Sequence, residues 1–174
     1  MDKPNERSSH VVPTARGGGV GIVVASLLGL LVLGVHGHPT VIRDPGFLGV
    51  LLGALIAAVG GLADDMCSRS YSFKLGFQVA GAVVAMAFGL MIERLYLPGI
   101  GPVALGWLAP ALTILWLVGL TNTYNFMDGI DGLAGGTAVV AASFLTVALI
   151  VLGQIDAGSV ASTLAAASLG FLLL

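Results

Sequence analysis

The sequence predicts an all-α integral membrane protein, a polytopic bundle of about six transmembrane helices in one membrane domain spanning residues 1–174. Hydrophobic residues make up 57% of the chain and charged residues only 9%, whereas a soluble domain carries about 25% charged residues. Crossing a hydrocarbon core of about 30 Å takes about 20 apolar residues in a helix. Six uncharged runs are of this length, at roughly 17–35, 46–63, 75–92, 99–121, 132–155 and 157–174.

The loops between these runs fall into two alternating sets. One set comprises 1–16, 64–74 and 122–131, and the other comprises 36–45, 93–98 and the turn near Asp156. Five Lys and Arg residues lie in the first set and two in the second. Because basic residues are enriched in cytoplasmic loops, we expect the first set to face the cytoplasm.

Glycine and proline positions within the runs predict how the helices pack and bend. Gly53 and the pair Gly60-Gly61 are expected to be packing positions, since small residues let membrane helices approach closely. Pro110 lies inside the fourth run, where it is expected to kink the helix. Cys67 is the only cysteine, which excludes an internal disulfide and a cysteine-based metal site.

Trp107 and Trp116 are interpreted as interfacial anchors or packing residues, because tryptophan is enriched where a membrane meets water.

The first loop carries Arg7, His10 and Arg16 ahead of the glycine triplet 17–19. Arginine binds anionic oxygens through a bidentate fork, and the free N–H groups where a helix begins also favour an anion. A phosphate contact is one interpretation. The alternative is a positively charged anchor that contacts lipid headgroups.

The second loop contains the adjacent carboxylates Asp64 and Asp65. Two neighbouring carboxylates repel each other, which favours a cation or a shared proton between them. A cation that bridges substrate phosphates would meet this need, and a helix end followed by a solvated turn is the alternative. Arg69 and Lys74 are interpreted as topology anchors, with a phosphate or headgroup contact as the other possibility.

The third loop is the most specific feature, because two amides and two carboxylates recur there at three-residue spacing. They are Asn122, Asn125, Asp128 and Asp131, and glycine follows both carboxylates. A bilayer tolerates such groups only where they face water, a partner or a ligand. Oxygen-rich clusters suit a hard cation such as Mg²⁺. The alternative is a network that only caps helices.

Together the three loops resemble those of the polyprenyl-phosphate N-acetylhexosamine-1-phosphate transferases, glycosyltransferase family 4, and most closely its bacterial branch that starts O-antigen and related surface glycans. That family's first loop reads Asp-x-Pro-Asn-x-Arg-Ser-x-His and then Pro-Thr-Pro-Arg-Gly-Gly-Gly. The chain matches it except at Ala15, where proline is usual. The Asp-Asp pair matches Asp64-Asp65, and the motif Asn-x-x-Asn-x-x-Asp-Gly-x-Asp-Gly-Leu-Ala matches every specified position from Asn122 to Ala134.

The resemblance implies a transfer of N-acetylhexosamine 1-phosphate from a UDP-N-acetyl-sugar to polyprenyl phosphate, with release of UMP. It implies a Mg²⁺ cofactor, or Mn²⁺ in its place, and no nucleic acid partner. It also implies a multi-pass protein of the bacterial inner membrane with cytoplasmic active-site loops, serving lipopolysaccharide or cell-wall synthesis.

The resemblance also implies roles for individual residues. Asp64 and Asp65 would be catalytic, and the metal ligands would be Asp65, Asp128 and Asp131. Substrate would be held by Asn122, Asn125, Asp128 and Asp131, with secondary phosphate or sugar contacts from Arg7, His10 and Arg16. Which carboxylate acts as base and which as metal ligand stays open.

Two features of the family lie outside these residues, namely a leading transmembrane helix and later helices with further site loops. The chain is therefore expected to be the N-terminal to middle portion of a larger enzyme and to lack activity alone. Two other classes remain open, a transporter or channel and a truncated non-catalytic membrane subunit. A transporter predicts charges near the membrane midplane, whereas all nine carboxylates here lie between the runs.

Overall fold

The computed structural model describes residues 18–36, 43–67, 70–127 and 132–173. These residues form six α-helices and one β-hairpin. In chain order the elements are α1 (Gly18–Val35), α2 (Pro45–Cys67), α3 (Tyr71–Ala87), β1 (Arg94–Leu97), β2 (Gly101–Ala104), α4 (Ala109–Met127), α5 (Leu133–Val151) and α6 (Ile155–Leu172). A short 3₁₀ turn at Gly106–Leu108 precedes α4.

The predicted class, an all-α polytopic membrane protein, is confirmed. Within the described ranges, four helices are long and apolar enough to cross a membrane, namely α1, α2, α5 and α6. Helix α3 is a shorter apolar helix. Helix α4 has 19 residues, but its last two turns carry Thr121, Asn122, Thr123 and Asn125, which lower its apolar character. Apolar side chains cover much of the surface of these helices, as expected where the solvent is lipid.

The chain divides into two compact units, one comprising residues 44–123 and the other Met1–Arg43 with Tyr124–Leu174. The first unit contains α2, α3, the hairpin and most of α4. In the second unit, α6 contacts both α1 and α5. The expectation of a single membrane domain over residues 1–174 stays a prediction.

Helices α2 and α3 pack closely because small residues line their contact. Gly49, Gly53 and Gly60 of α2 are buried, and a Cβ atom on Gly53 would lie 2.5 Å from the carbonyl oxygen of Gly81 on α3. The predicted packing role is confirmed for Gly53 and Gly60. For Gly61 it stays a prediction, since a Cβ atom there would meet nothing within 4 Å among the described residues.

The β-hairpin between α3 and α4 was not predicted. Its antiparallel strands pair Arg94 with Ala104 and Leu97 with Gly101, around a turn in which Gly99 has a φ of 79°. The apolar run predicted as a helix from residue 99 therefore begins as turn and strand. Helix α4 starts only at Ala109.

Pro110 is consequently the second residue of α4 rather than an interior one. A proline in the first turn removes no helical hydrogen bond, because the first N–H groups of a helix have no partner within it. The predicted kink in the middle of a helix is wrong for this reason.

Candidate functional site

Asp64 and Asp65 lie in the last turn of α2, which continues to Cys67. The prediction that they begin a loop is therefore wrong, although they do lie at the end of the helix. Asp64 is half-buried and Asp65 is exposed. Negative charge is unfavourable at a helix C-terminus, where the carbonyl groups carry partial negative charge. This position strengthens the need for a cation beside the two carboxylates.

Lys74 supplies one such cation. Its Nζ lies 3.5 Å from Oδ2 of Asp64, and the two side chains are 18% and 27% exposed. Lys74 lies in the first turn of α3, which Ser70 caps by accepting a hydrogen bond from the backbone N–H of Phe73. The first turn of α3 thus brings a positive charge to Asp64 of the carboxylate pair. Both interpretations of Lys74, as a topology anchor and as a phosphate or headgroup contact, missed this partner.

Asn122 and Asn125 also lie on a helix rather than in a loop, because α4 continues to Met127. The prediction of a loop from residue 122 is wrong as far as residue 127. Residues three apart on a helix lie on the same side, so both amides belong to one side of the last turns of α4. Asn122 is half-buried and Asn125 is exposed.

Gln78 of α3 pairs with Asn122 of α4 through their side-chain amides. Asn122 Nδ2 donates to Gln78 Oε1 at 2.9 Å, and Gln78 Nε2 donates to Asn122 Oδ1 at 3.5 Å. Gln78 is only 5% exposed, so most of its surface lies within the protein. Sequence reasoning missed this residue. The available signal was that Gln78 is the only polar side chain within the apolar run 75–92.

One face of α3 therefore brings two of the three motifs together. Lys74 and Gln78 are four residues apart, which places them on the same side of the helix. The first holds Asp64 of α2 and the second holds Asn122 of α4. All four residues belong to the unit of residues 44–123. Asp64 of the carboxylate pair and Asn122 of the amide motif thus both contact the N-terminal half of α3.

The other predicted site residues lie outside the described residues: Arg7, His10, Arg16, Asp128 and Asp131. Their convergence with Asp64 and Asp65 stays a prediction. Among the residues that are described, no three His, Cys, Asp or Glu side chains form a group that could hold a metal ion. The donors that are present are carboxylate and amide oxygens, the ligand type that Mg²⁺ prefers. The chemical type of these oxygen donors therefore fits Mg²⁺. Of the two adjacent carboxylates, Asp65 is the exposed one.

Comparison with known proteins agrees with these motifs. Residues 47–174 match the family model described as glycosyl transferase family 4. A Bacillus subtilis protein described as a probable undecaprenyl-phosphate N-acetylglucosaminyl 1-phosphate transferase is 32% identical over 99% of this chain and 47% of its own length. A Mycolicibacterium smegmatis decaprenyl-phosphate N-acetylglucosaminephosphotransferase is 34% identical over 97% of this chain and 45% of its own length.

A third relative, the phospho-N-acetylmuramoyl-pentapeptide-transferase of a Synechococcus strain, is 38% identical over 84% of this chain and 44% of its own length. The chain spans about half the length of the curated relatives it matches. No solved structure matches it significantly.

Proposed function

The chain belongs to glycosyl transferase family 4, and on this premise we propose that it is part of a phospho-N-acetylhexosamine transferase. The proposed reaction transfers an N-acetylhexosamine 1-phosphate from a UDP-sugar to polyprenyl phosphate and releases UMP. The product would start a lipid-linked surface glycan, such as O-antigen or a cell-wall polymer. The proposed location is the bacterial inner membrane, with the Asp64 and Asn122 ends of the helices facing the cytoplasm.

The observation that carries this proposal is that one face of α3 contacts both Asp64 of the carboxylate pair and Asn122 of the amide motif. Asp64 contacts Lys74, and Asn122 contacts Gln78. These polar groups lie at the ends of apolar helices. A lipid-bound acceptor and a water-soluble donor can meet only at such a membrane surface.

The proposed chemistry is an in-line displacement at phosphorus. An oxygen of polyprenyl phosphate attacks the β-phosphorus of the UDP-sugar, the bond from this phosphorus to the UMP oxygen breaks, and UMP leaves with the bonding electrons. The acceptor phosphate is already largely ionised near neutral pH, so the chain need not supply a nucleophile. Catalysis then depends on positioning and on charge neutralisation.

The residues of the chain would share these tasks. Asp65, with Asp128 and Asp131, would hold Mg²⁺, which when bound neutralises phosphate charge. Lys74, paired with Asp64, limits the negative charge that the approaching phosphates meet. Asp64 or Asp65 would accept a proton that remains on the acceptor phosphate. Asn122 and Asn125 would orient the donor.

The position of the acidic side chains supports an enzyme over a transporter. In the described part of the chain every acidic residue lies at a helix end or between helices, namely Asp44, Asp64, Asp65, Glu93 and Asp156. A transporter that binds ions at the midplane would place such groups in the middle of a span.

The test uses membranes from cells that express the protein in its full length. They are incubated with polyprenyl phosphate and radiolabelled UDP-N-acetylglucosamine or UDP-N-acetylmuramoyl-pentapeptide, with and without Mg²⁺. We expect a label that moves into the lipid phase, an equal amount of UMP, and a loss of both without Mg²⁺. The control variant is Glu93→Gln, which changes an exposed carboxylate beside the hairpin rather than one at the site and should retain the transfer of label. Absence of lipid-linked product from every UDP-N-acetyl-sugar would refute the proposal.

A further inference from the structure

We infer that Gln78 is a positioning residue, which fixes the side-chain amide of Asn122 so that only its oxygen is left to meet a ligand. The identity of that ligand rests on the proposed function, but the geometry of the amide pair does not. Gln78 lies on α3, outside all three motifs of the sequence. Its assigned role is to act through Asn122 rather than to touch the substrate.

The backbone carbonyl of Val118 determines the orientation of both amides. Asn122 Nδ2 donates to Val118 O at 2.9 Å. A carbonyl oxygen only accepts hydrogen bonds, so the nitrogen of Asn122 and not its oxygen must face it. The same nitrogen then faces Gln78, which must present Oε1 to it, at 2.9 Å. Nε2 of Gln78 is therefore left to face Asn122 Oδ1, at 3.5 Å.

This arrangement uses both hydrogens of the Asn122 amide within the protein. One binds Val118 O and the other binds Gln78 Oε1. The oxygen has two lone pairs and receives only the long 3.5 Å bond from Gln78. Asn122 can therefore accept a further hydrogen bond but has no N–H left to donate. It suits an O–H or N–H group of the donor substrate and does not suit an ionised phosphate oxygen.

The burial of Gln78 supports a role beyond packing. An amide that is taken out of water costs free energy unless its hydrogen bonds are satisfied. An apolar side chain at this position in an apolar helix would avoid that cost. Gln78 instead uses its acceptor, Oε1, to bind Asn122 Nδ2. It lies one turn of α3 beyond Lys74, which contacts Asp64. Without Gln78, the Asn122 amide keeps only its bond within α4 and can rotate.

The first experiment measures the amide directly and needs no enzyme activity. The full-length protein is labelled with ¹⁵N-asparagine in lipid nanodiscs, and the Asn122 side-chain signal is assigned by its loss in Asn122→Asp. We expect exchange of its amide protons with water to become at least tenfold faster in Gln78→Met and in Gln78→Leu. Two apolar variants are used because both increase the apolar character of the span and so favour membrane insertion. Unchanged exchange in both would overturn the inference.

The second experiment separates positioning from stability. Gln78→Met should raise KM for the UDP-sugar about tenfold, the loss of about 1.4 kcal/mol, with kcat within about threefold. Gln78→Glu, which burial keeps in its neutral form, retains an acceptor for Asn122 Nδ2 and a donor for its Oδ1, and should restore KM to within about threefold of the original protein. The matched control is Thr113→Val, which removes two hydrogen bonds at the other end of α4 but leaves the Gln78–Asn122 pair in place, and which should lower thermal stability without changing KM.

The outcomes distinguish this inference from the proposed function. An active protein whose KM is the same with Gln78→Met as without it would overturn the positioning role, as would an equal KM change in Thr113→Val. A protein that transfers no UDP-sugar, yet shows faster Asn122 exchange in Gln78→Met, would refute the proposed function and leave the amide geometry standing.

UMP tested as an inhibitor identifies which part of the donor meets Asn122. A tenfold weaker inhibition in Gln78→Met places the contact on the nucleotide, and unchanged inhibition places it on the sugar.

Discussion

Gly53 of α2 and Gly81 of α3 face each other with no side chain between them. A Cβ atom on either glycine would collide with the carbonyl oxygen of the other. The two backbones therefore touch at this level of the bundle. Asp64 lies eleven residues further along α2, about 16 Å at 1.5 Å per residue, so this contact helps to set its approach to Lys74.

Replacing Gly53 with alanine is expected to destabilise the α2–α3 pair. The added methyl group would lie 2.5 Å from a carbonyl oxygen, and overpacking of this kind typically costs about 1–3 kcal/mol. Thermal unfolding of the purified protein in detergent measures the effect as a lower midpoint temperature. The matched control is Gly61→Ala on the same helix, where the methyl group meets nothing within 4 Å among the described residues. Equal midpoints for the two variants would contradict the close contact.

Removing the charge of a site carboxylate is expected to abolish most of the proposed transferase activity. Asp64→Asn, Asp65→Asn, Asp128→Asn and Asp131→Asn should each reduce turnover at least about a hundredfold, the scale on which one preorganised electrostatic contact acts. Protein level in the membrane should hardly change, because asparagine keeps the size of aspartate. The assay is Mg²⁺-dependent formation of lipid-linked sugar by the full-length protein. Near-normal turnover in both Asp65→Asn and Asp128→Asn would exclude a shared metal site.

The membrane orientation can be measured with Cys67, the one cysteine of these 174 residues, after any other cysteine of the full-length protein has been replaced by serine. Cys67 is exposed at the end of α2, two residues after Asp65, and should react with a membrane-impermeant maleimide only in inverted vesicles. The comparison is Ile100→Cys in a Cys67→Ser background. Ile100 lies in the hairpin turn at the far end of α3, a 17-residue helix about 25 Å long, and should react only in spheroplasts. Labelling of both positions from the same side would contradict the proposed topology.

The hairpin end of the bundle is expected to lie in the membrane interface. Trp107 is 86% exposed and the neighbouring hairpin exposes Tyr96 and Ile100, and aromatic side chains favour the headgroup region of a bilayer. Because the chain has two tryptophans, Trp116→Phe leaves Trp107 as the only one within these residues. Its fluorescence should be quenched by lipids brominated near the headgroup. In the full-length protein, other tryptophans are replaced in the same way, and Trp107→Phe gives the background. Quenching by an aqueous agent alone would place Trp107 in bulk water.

Composition and run length were sufficient to predict the helical membrane class, because the need to satisfy backbone hydrogen bonds in lipid leaves few alternatives. The ends of the helices were less predictable. Asp64, Asp65, Asn122 and Asn125 are polar, and polarity was taken as the sign of a loop. Their helices continue because contacts from α3 hold Asp64 and Asn122, and tertiary contacts of this kind leave no local signal.

The hairpin was hidden for a related reason. Strand β1 falls in the predicted loop 93–98, whereas Gly99 and the Gly101-Pro102 pair lie within the uncharged run 99–121 that was predicted as a helix. At the site, the motif spacing identified Asn122 but not Gln78. A lone amide in an apolar run shows that a partner is needed, but the partner itself becomes evident only once α3 and α4 are packed together.

Thr113 is buried near the start of α4, where it donates to Ala109 O at 2.7 Å and accepts from the backbone N–H of Ile92 at 3.0 Å. With the Gln78–Asn122 pair, α4 is joined to the α3 segment at two points nine residues apart, about 13 Å along its axis. These two contacts oppose both a shift of α4 along its axis and a rotation about that axis. In response to a change in bilayer thickness, the hairpin and the amide end of α4 would therefore move together as one rigid unit. The depth of the polar end in the membrane would then be set partly from the opposite side of the bilayer.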